Sequence, residues 1–244
     1  MCTVSFVKRN GIAILTSNRD EKVLRGGALA PKVAIVNGKK IIFPRDAKAG
    51  GTWFAASEDG NVAVLLNGAF QDHLKKENYR KSRGLIMLDI IGADAPHQEF
   101  ETIDLENIEP FTVILNADQK LFQLVWDGDK KNRTELDTNM DYIWSSVTLY
   151  SSEIIYQRQQ WFKQFLLNNP IPNKNDLRNF HANTSNEDQE NGLIINRANI
   201  YKTLSITQAE VLDTQTNIYH SDLMLNQFHV SSIARGASLT TLHE

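Results

Sequence analysis

The sequence predicts an α+β fold made of layers, with antiparallel sheet as its main theme. Three observations carry this: four turn-centred pairs of short apolar runs before residue 130, two stretches with helical apolar spacing, and no strand–helix–strand alternation. The first pair is 3–7 and 12–16 around Asn10-Gly11. The second is 33–36 and 41–43 around Asn37-Gly38, and the third 52–57 and 62–66 around Asp59-Gly60. Asn-Gly and Asp-Gly tolerate the positive φ of tight hairpin turns. A helix is expected over 75–91, charged at first and then apolar through Leu85, Ile86, Leu88, Ile90 and Ile91, with Gly92 and Pro96 stopping it. The fourth pair, 112–115 and 121–126, turns at Asn116-Ala117-Asp118. A second helix is expected over 152–168, with Ile154, Arg158, Trp161 and Phe165 along one stripe and Ile155, Phe162 and Leu166 beside it, ended by Pro170 and Pro172. A short helix at 176–182, a polar loop at 183–191 and strands between 200 and 229 complete the reading.

A chain of 244 residues with 41% hydrophobic and 23% charged residues has enough apolar surface for a sizeable core, and a single domain over 1–244 is expected. A net charge of −3 gives no sign of a nucleic-acid partner. One cysteine excludes an internal disulfide and any multi-cysteine zinc site. No apolar run reaches the ~18–20 residues of a membrane span, and no charged-then-apolar leader opens the sequence, so a cytoplasmic location is expected. The six histidines, at 73, 97, 181, 220, 229 and 243, show no helical ligand spacing, and no phosphate-binding or dinucleotide glycine motif occurs. Neither a metal nor a cofactor is expected.

The position of the one cysteine is the chemical signal. Removal of Met1 would make Cys2 the N-terminal residue, joining a thiol nucleophile to an α-amine of pKa about 7.7–8.0 that can serve as its base. The plainer alternative is a small strand residue. The first hairpin folds Asn18-Arg19-Asp20-Glu21 back toward Cys2. An arginine there favours a thiolate and a carboxylate orients an α-ammonium group, although an Arg–Asp pair can also simply close a strand end. Gly50-Gly51-Thr52-Trp53 precedes a hairpin ending in Asn67-Gly68. An Asn amide beside backbone N–H groups is a sensible oxyanion donor, and Asn-Gly is also a commonplace turn.

Together, Met1-Cys2, Asn18-Arg19-Asp20-Glu21, Gly50-Gly51-Thr52-Trp53, Leu66-Asn67 and Lys81-Ser82-Arg83-Gly84 resemble, in order and spacing, the NRDE-motif family named for transport and Golgi organisation. The resemblance implies a four-layer αββα sandwich like that of the N-terminal nucleophile (Ntn) hydrolases, whose choloylglycine and penicillin acylases hydrolyse linear amides. It implies Cys2 as nucleophile and base, Arg19 and Asp20 as its supporting pair, and Asn67 as oxyanion donor, with Asn18, Trp53 and Ser146 toward the substrate. The reading is an amidohydrolase or acyltransferase acting on a small linear amide or thioester. The alternative is a non-catalytic haem or lipid/acyl carrier and trafficking factor using the same pocket. Two positions depart from the family: Ser146 stands where an Asn is usual, and Leu204 where an Arg is usual.

Overall fold

All four expected hairpins form in the computed structural model, which describes residues 2–183 and 188–236, Cys2 by its backbone alone. The strands run β1 Cys2–Arg9, β2 Ile12–Lys22, β3 Ala28–Val36, β4 Lys39–Asp46, β5 Phe54–Ser57 and β6 Val62–Asn67. Helices α1 Arg83–Ile91 and α2 Pro96–Thr102 follow, then β7 Phe111–Ala117, β8 Lys120–Trp126, β9 Lys131–Leu136 and β10 Tyr142–Ser145. Helices α3 Ser152–Asn168 and α4 Lys174–Ala182 precede β11 Asn196–Arg197, β12 Tyr201–Val211, β13 Gln215–Asp222 and β14 Gln227–Ala234. The first sheet has the order β10-β1-β2-β12-β13-β14 with β11 on β12, the second runs β3 to β9, and every pairing is antiparallel. The sheets meet face to face, α1 and α2 pack on the second, and α3 and α4 cover the first. The expected α+β architecture of two antiparallel sheets with helical layers is what forms.

The turns follow from local chemistry. Asn10 and Gly11 sit at φ 52° and 80°, and Asn37 and Gly38 at 50° and 85°, the left-handed pair that such a turn needs. The fourth hairpin turns one residue later than expected, at Asp118 and Gln119, because β7 keeps pairing through Ala117.

Three expectations are corrected. The first helix begins at Arg83, not at 75. Residues 75–82 carry no apolar stripe to bury, and they run irregularly over the surface, so Lys75, Lys76, Arg80 and Lys81 are not a helical face. Pro96, expected as a stop, starts α2 instead, where its missing N–H costs nothing. On α3 the buried positions are Arg158 and Phe162, while Ile154, Trp161 and Phe165 are half-buried. The polar loop expected at 183–191 lies partly outside the described residues.

Alternation along the first sheet divides its residues between two environments. Val7, Ile14 and Ile143 face the helices and pack with Phe162 and Leu177. Val4, Phe6, Ala13, Leu15, Ala209 and Ile218 face the second sheet in the main core. Each such fully buried large side chain contributes about 1.5–3 kcal/mol, an upper estimate. Toward the open end the same inward face turns polar, through Ser17, Thr207 and His220 and then Arg19, Ser205 and Asp222.

Candidate active site

That polar end opens into a cavity of about 350 Å³. β2 supplies Arg19 and Glu21, the turn after β2 supplies Arg25, and β4 supplies Asp46. Gly51, Thr52 and Trp53 lead into β5, Leu65 and Asn67 end β6, and Lys81 to Gly84 open α1 beside Glu109. Arg19, Trp53 and Asn67, picked from sequence, therefore share one wall system. Cys2 pairs with Arg19 in the β1–β2 ladder, which fixes its backbone at that end of the sheet; its thiol lies outside the described atoms.

Arg19 is held rigidly. Its Nη2 donates to Asp46 Oδ2 at 2.7 Å, and its guanidinium carbon lies 4.5 Å from the centre of the Trp53 ring. Arg25 Nε donates to the same oxygen at 2.8 Å, and Asp46 Oδ1 accepts from the Ala49 N–H at 2.8 Å. Burial pushes the Asp46 carboxyl up, but Arg25, the Ala49 N–H and the Arg19 charge together pull it below the usual carboxylate range. On the other wall Arg83 Nη2 reaches Glu109 Oε2 at 3.0 Å, with His73 Nε2 3.4 Å from Oε1. The lining thus carries four cations, Arg19, Arg25, Lys81 and Arg83, against three carboxylates, Glu21, Asp46 and Glu109.

Asp20, Asn18 and Ser146 lie outside this lining. Asp20 follows Arg19 on the strand and so points to the opposite face, where it is fully buried. Tyr150 Oη donates to Asp20 Oδ2 at 2.7 Å and Thr203 Oγ1 donates to Oδ1 at 2.7 Å. Burial raises the Asp20 pKa against the pull of Arg158 and the two hydroxyls, and burial with the neighbouring Asp20 raises that of Tyr150 well above its usual value. Arg158 stacks on the Tyr150 ring at 3.6 Å and donates to Thr3 Oγ1 and to the Gly192 and Asn191 carbonyls. Asn18 Nδ2 donates to the His181 and Leu193 carbonyls at 2.9 and 2.6 Å, and its Oδ1 takes His181 Nδ1 at 2.5 Å. Since Asn18 Oδ1 can only accept, Nδ1 carries the proton and Nε2 accepts from Ser5 Oγ at 2.8 Å. Burial, helped by the Arg158 charge, lowers the His181 pKa to about 3. Ser146 Oγ donates to the Asn67 carbonyl at 2.7 Å, tying the end of the first sheet to the end of the second. Leu204 is buried in the irregularity where β12 shifts register against β2.

Sequence reading missed Asp46, Glu109 and Tyr150. Nothing in spacing marks them, since each reaches the site from a distant segment. Arg83 stood in a quoted motif without an assigned role.

Solved structures with this fold define its class. A C2A mutant of conjugated bile acid hydrolase from Clostridium perfringens superposes with a TM-score of 0.57 at 10% identity, over 95% of this chain and 92% of that one. The Caenorhabditis elegans N-acylethanolamine-hydrolyzing acid amidase ortholog gives 0.58 at 12% identity over 85% and 92%. Penicillin V acylase from Agrobacterium tumefaciens gives 0.53 at 9% over 94% and 85%. At these identities the likeness is one of fold: an Ntn-hydrolase-like sandwich. A profile for Transport and Golgi organisation 2 (TANGO2) matches residues 1–233, and the chain belongs to that family. No curated protein matches the chain by sequence.

Proposed function

We propose that the pocket is the active site of an Ntn-type amidohydrolase or acyltransferase that works through Cys2 on a small linear amide or thioester. The observation that carries this is the convergence of Arg19, Trp53 and Asn67 on one cavity, at the end of the ladder in which Cys2 pairs with Arg19. In this reading Met1 is removed and the freed α-amine takes the Cys2 thiol proton. The sulfur attacks the acyl carbonyl, and the Asn67 amide holds the oxyanion. The leaving amine departs with the proton, and water or a second nucleophile then cleaves the thioester. Asp20, next along β2 after the Cys2–Arg19 pair, lies where the register would bring that amine, and its two hydroxyl donors keep the carboxylate oriented.

The test is an acyl-thioester trap read by mass spectrometry on processed chain. A covalent acyl adduct lost in Cys2→Ser supports the reaction. Retaining Met1 should slow turnover by about 10²–10⁴-fold, the scale of a lost general base. Undiminished turnover from chain that keeps Met1 would place the nucleophile elsewhere.

Two features favour the carrier alternative. Leu204 is buried where the family resemblance implies an arginine, and the Ser146 hydroxyl is engaged with a backbone carbonyl rather than the cavity. Processed chain that never forms an adduct yet binds haem or an acyl compound in the pocket would establish the carrier.

A further inference from the structure

At the far end of the first sheet from the polar pocket, a groove of about 530 Å³ lies between strand β10 and helix α3. Its strand wall is Met140 to Ile143, and its helix wall is Phe162, Lys163, Leu166 and Leu167. Residues four apart share a helix face, so 162 with 166 and 163 with 167 form one continuous wall. Met140 and Leu167 are bare apolar side chains on facing walls, 57% and 65% exposed. The groove shares no residue with the polar pocket. Arg9, which lines it, ends β1, the strand that begins at Cys2, so the two sites lie about 23 Å apart along that strand.

The strand wall decides what fits. β10 is an edge strand, paired with β1 alone. Every second residue of such a strand turns its N–H and C=O away from its neighbour, and among the described residues no turn or loop backbone bond reaches 142–145. A lipid chain, or the side of a helix, brings no free backbone groups. Either would strip water from the strand's N–H and C=O and return no bond. An extended peptide returns those bonds by adding a strand, and its alternate side chains enter the groove against Phe162, Leu166 and Leu167. Charge sets one more feature. Of the charged groups in the lining, Arg9 and Asp141 neutralise each other, with Nη2 donating to Oδ2 at 2.7 Å, whereas Lys163 has no carboxylate partner among the described residues. Asp137 lies outside the lining and is turned onto Asn139, its Oδ1 accepting from the N–H at 2.9 Å and from Nδ2 at 3.0 Å. We propose that this groove binds an extended peptide as an added strand on β10, one with apolar side chains at alternate positions followed by a carboxylate that meets Lys163.

The groove is separate from the proposed reaction, so its test reads no activity. The probe is fluorescein-labelled Thr-Leu-Thr-Leu-Thr-Glu, whose leucines and glutamate share one face of a strand, titrated with the full chain by fluorescence anisotropy. Expected is saturable binding, roughly tenfold weaker to the Lys163→Glu/Leu167→Glu variant. Both positions are exposed on α3, so the variant should keep the parent's circular dichroism and melting temperature. Two further probes carry N-methyl groups on alternate residues, each blocking the N–H groups of one strand edge. One of them should bind as the parent probe does, and the other roughly tenfold more weakly, because only one edge pairs with β10. The proposal is overturned by no binding of the parent probe, by equal binding to the double variant, or by both methylated probes binding as the parent does, which would be apolar capture without an added strand.

Discussion

Gly51 and Gly84 show how a motif residue can be fixed by a distance. A Cβ on Gly84 would lie 2.5 Å from the Thr52 carbonyl oxygen and 2.8 Å from its nitrogen, and one on Gly51 would lie 2.6 Å from the Gly84 carbonyl carbon. The Gly-Gly-Thr-Trp and Ser-Arg-Gly motifs are thus two sides of one backbone contact that seats the start of α1 against the entry to β5, within the pocket wall. Neither backbone has room to yield, so Gly84→Ala should destabilise by about 1–3 kcal/mol or more in urea unfolding, with slope unchanged. The motifs were visible in sequence; their contact across 32 positions was not. The same holds for Asp20. Its carboxylate was legible as chemistry, but its donor Tyr150 lies 130 residues away. Tyr150→Phe leaves a fully buried carboxylate oxygen short of a donor and should cost about 1–3 kcal/mol. Equal midpoints for variant and parent would show that the hydroxyl does not hold Asp20.

Elements were legible where local chemistry alone determines them. Asn-Gly turns announce hairpins because few other pairs accept two positive φ values, and both Asn-Gly hairpins formed. β9, with sequence Lys-Asn-Arg-Thr-Glu-Leu, escaped notice because an exposed edge strand needs no apolar alternation. α3 was recognised with Arg158 on its stripe, but apolar periodicity cannot show that Arg158 and Phe162, rather than Ile154, Trp161 and Phe165, are its buried residues. α4 carries the clearest pH effect. His181 is buried and neutral, with its pKa lowered to about 3 from 6.5, and His220 on β13 is lowered to about 4 by burial. A depressed histidine pKa means that the unfolded chain takes up the proton first. The stability is therefore fully present above pH 6.5 and is lost as pH falls toward 3 to 4. At pH 5 each histidine should have given up about 2 kcal/mol. The raised pKa of Asp20 acts in the opposite sense, so the effect is isolated by comparison. Urea midpoints at pH 7 and pH 5 should converge in His181→Asn relative to the parent, and an equal pH-induced drop in both would assign the acid sensitivity elsewhere.

Across the whole molecule, the space between the sheets changes character along the strands, and the site follows from that change. At one end Phe6, Leu15, Ala209 and Ile218 make a dry core. At the other, the same inward face offers Ser17, Ser205, Thr207 and His220, and Trp53 meets them from the second sheet. Thr207 Oγ1 bonds His220 Nδ1 at 2.9 Å, yet Ser17 Oγ, Ser205 Oγ, Trp53 Nε1 and His220 Nε2 are buried without a protein partner among the described residues. Folding alone would favour aliphatic residues here, because a buried hydroxyl with no partner keeps its desolvation cost and gains no bond. Polar residues persist where the sheets part to form the cavity, the trade of stability for a working site that natural proteins commonly show. Ser17→Ala/Ser205→Ala removes the two hydroxyls and changes little else. It should raise stability by about 1–3 kcal/mol, measured by urea unfolding at pH 7. A loss of stability would instead mean that ordered water already satisfies these hydroxyls, and that the polar end of the sandwich is a hydrated extension of the pocket.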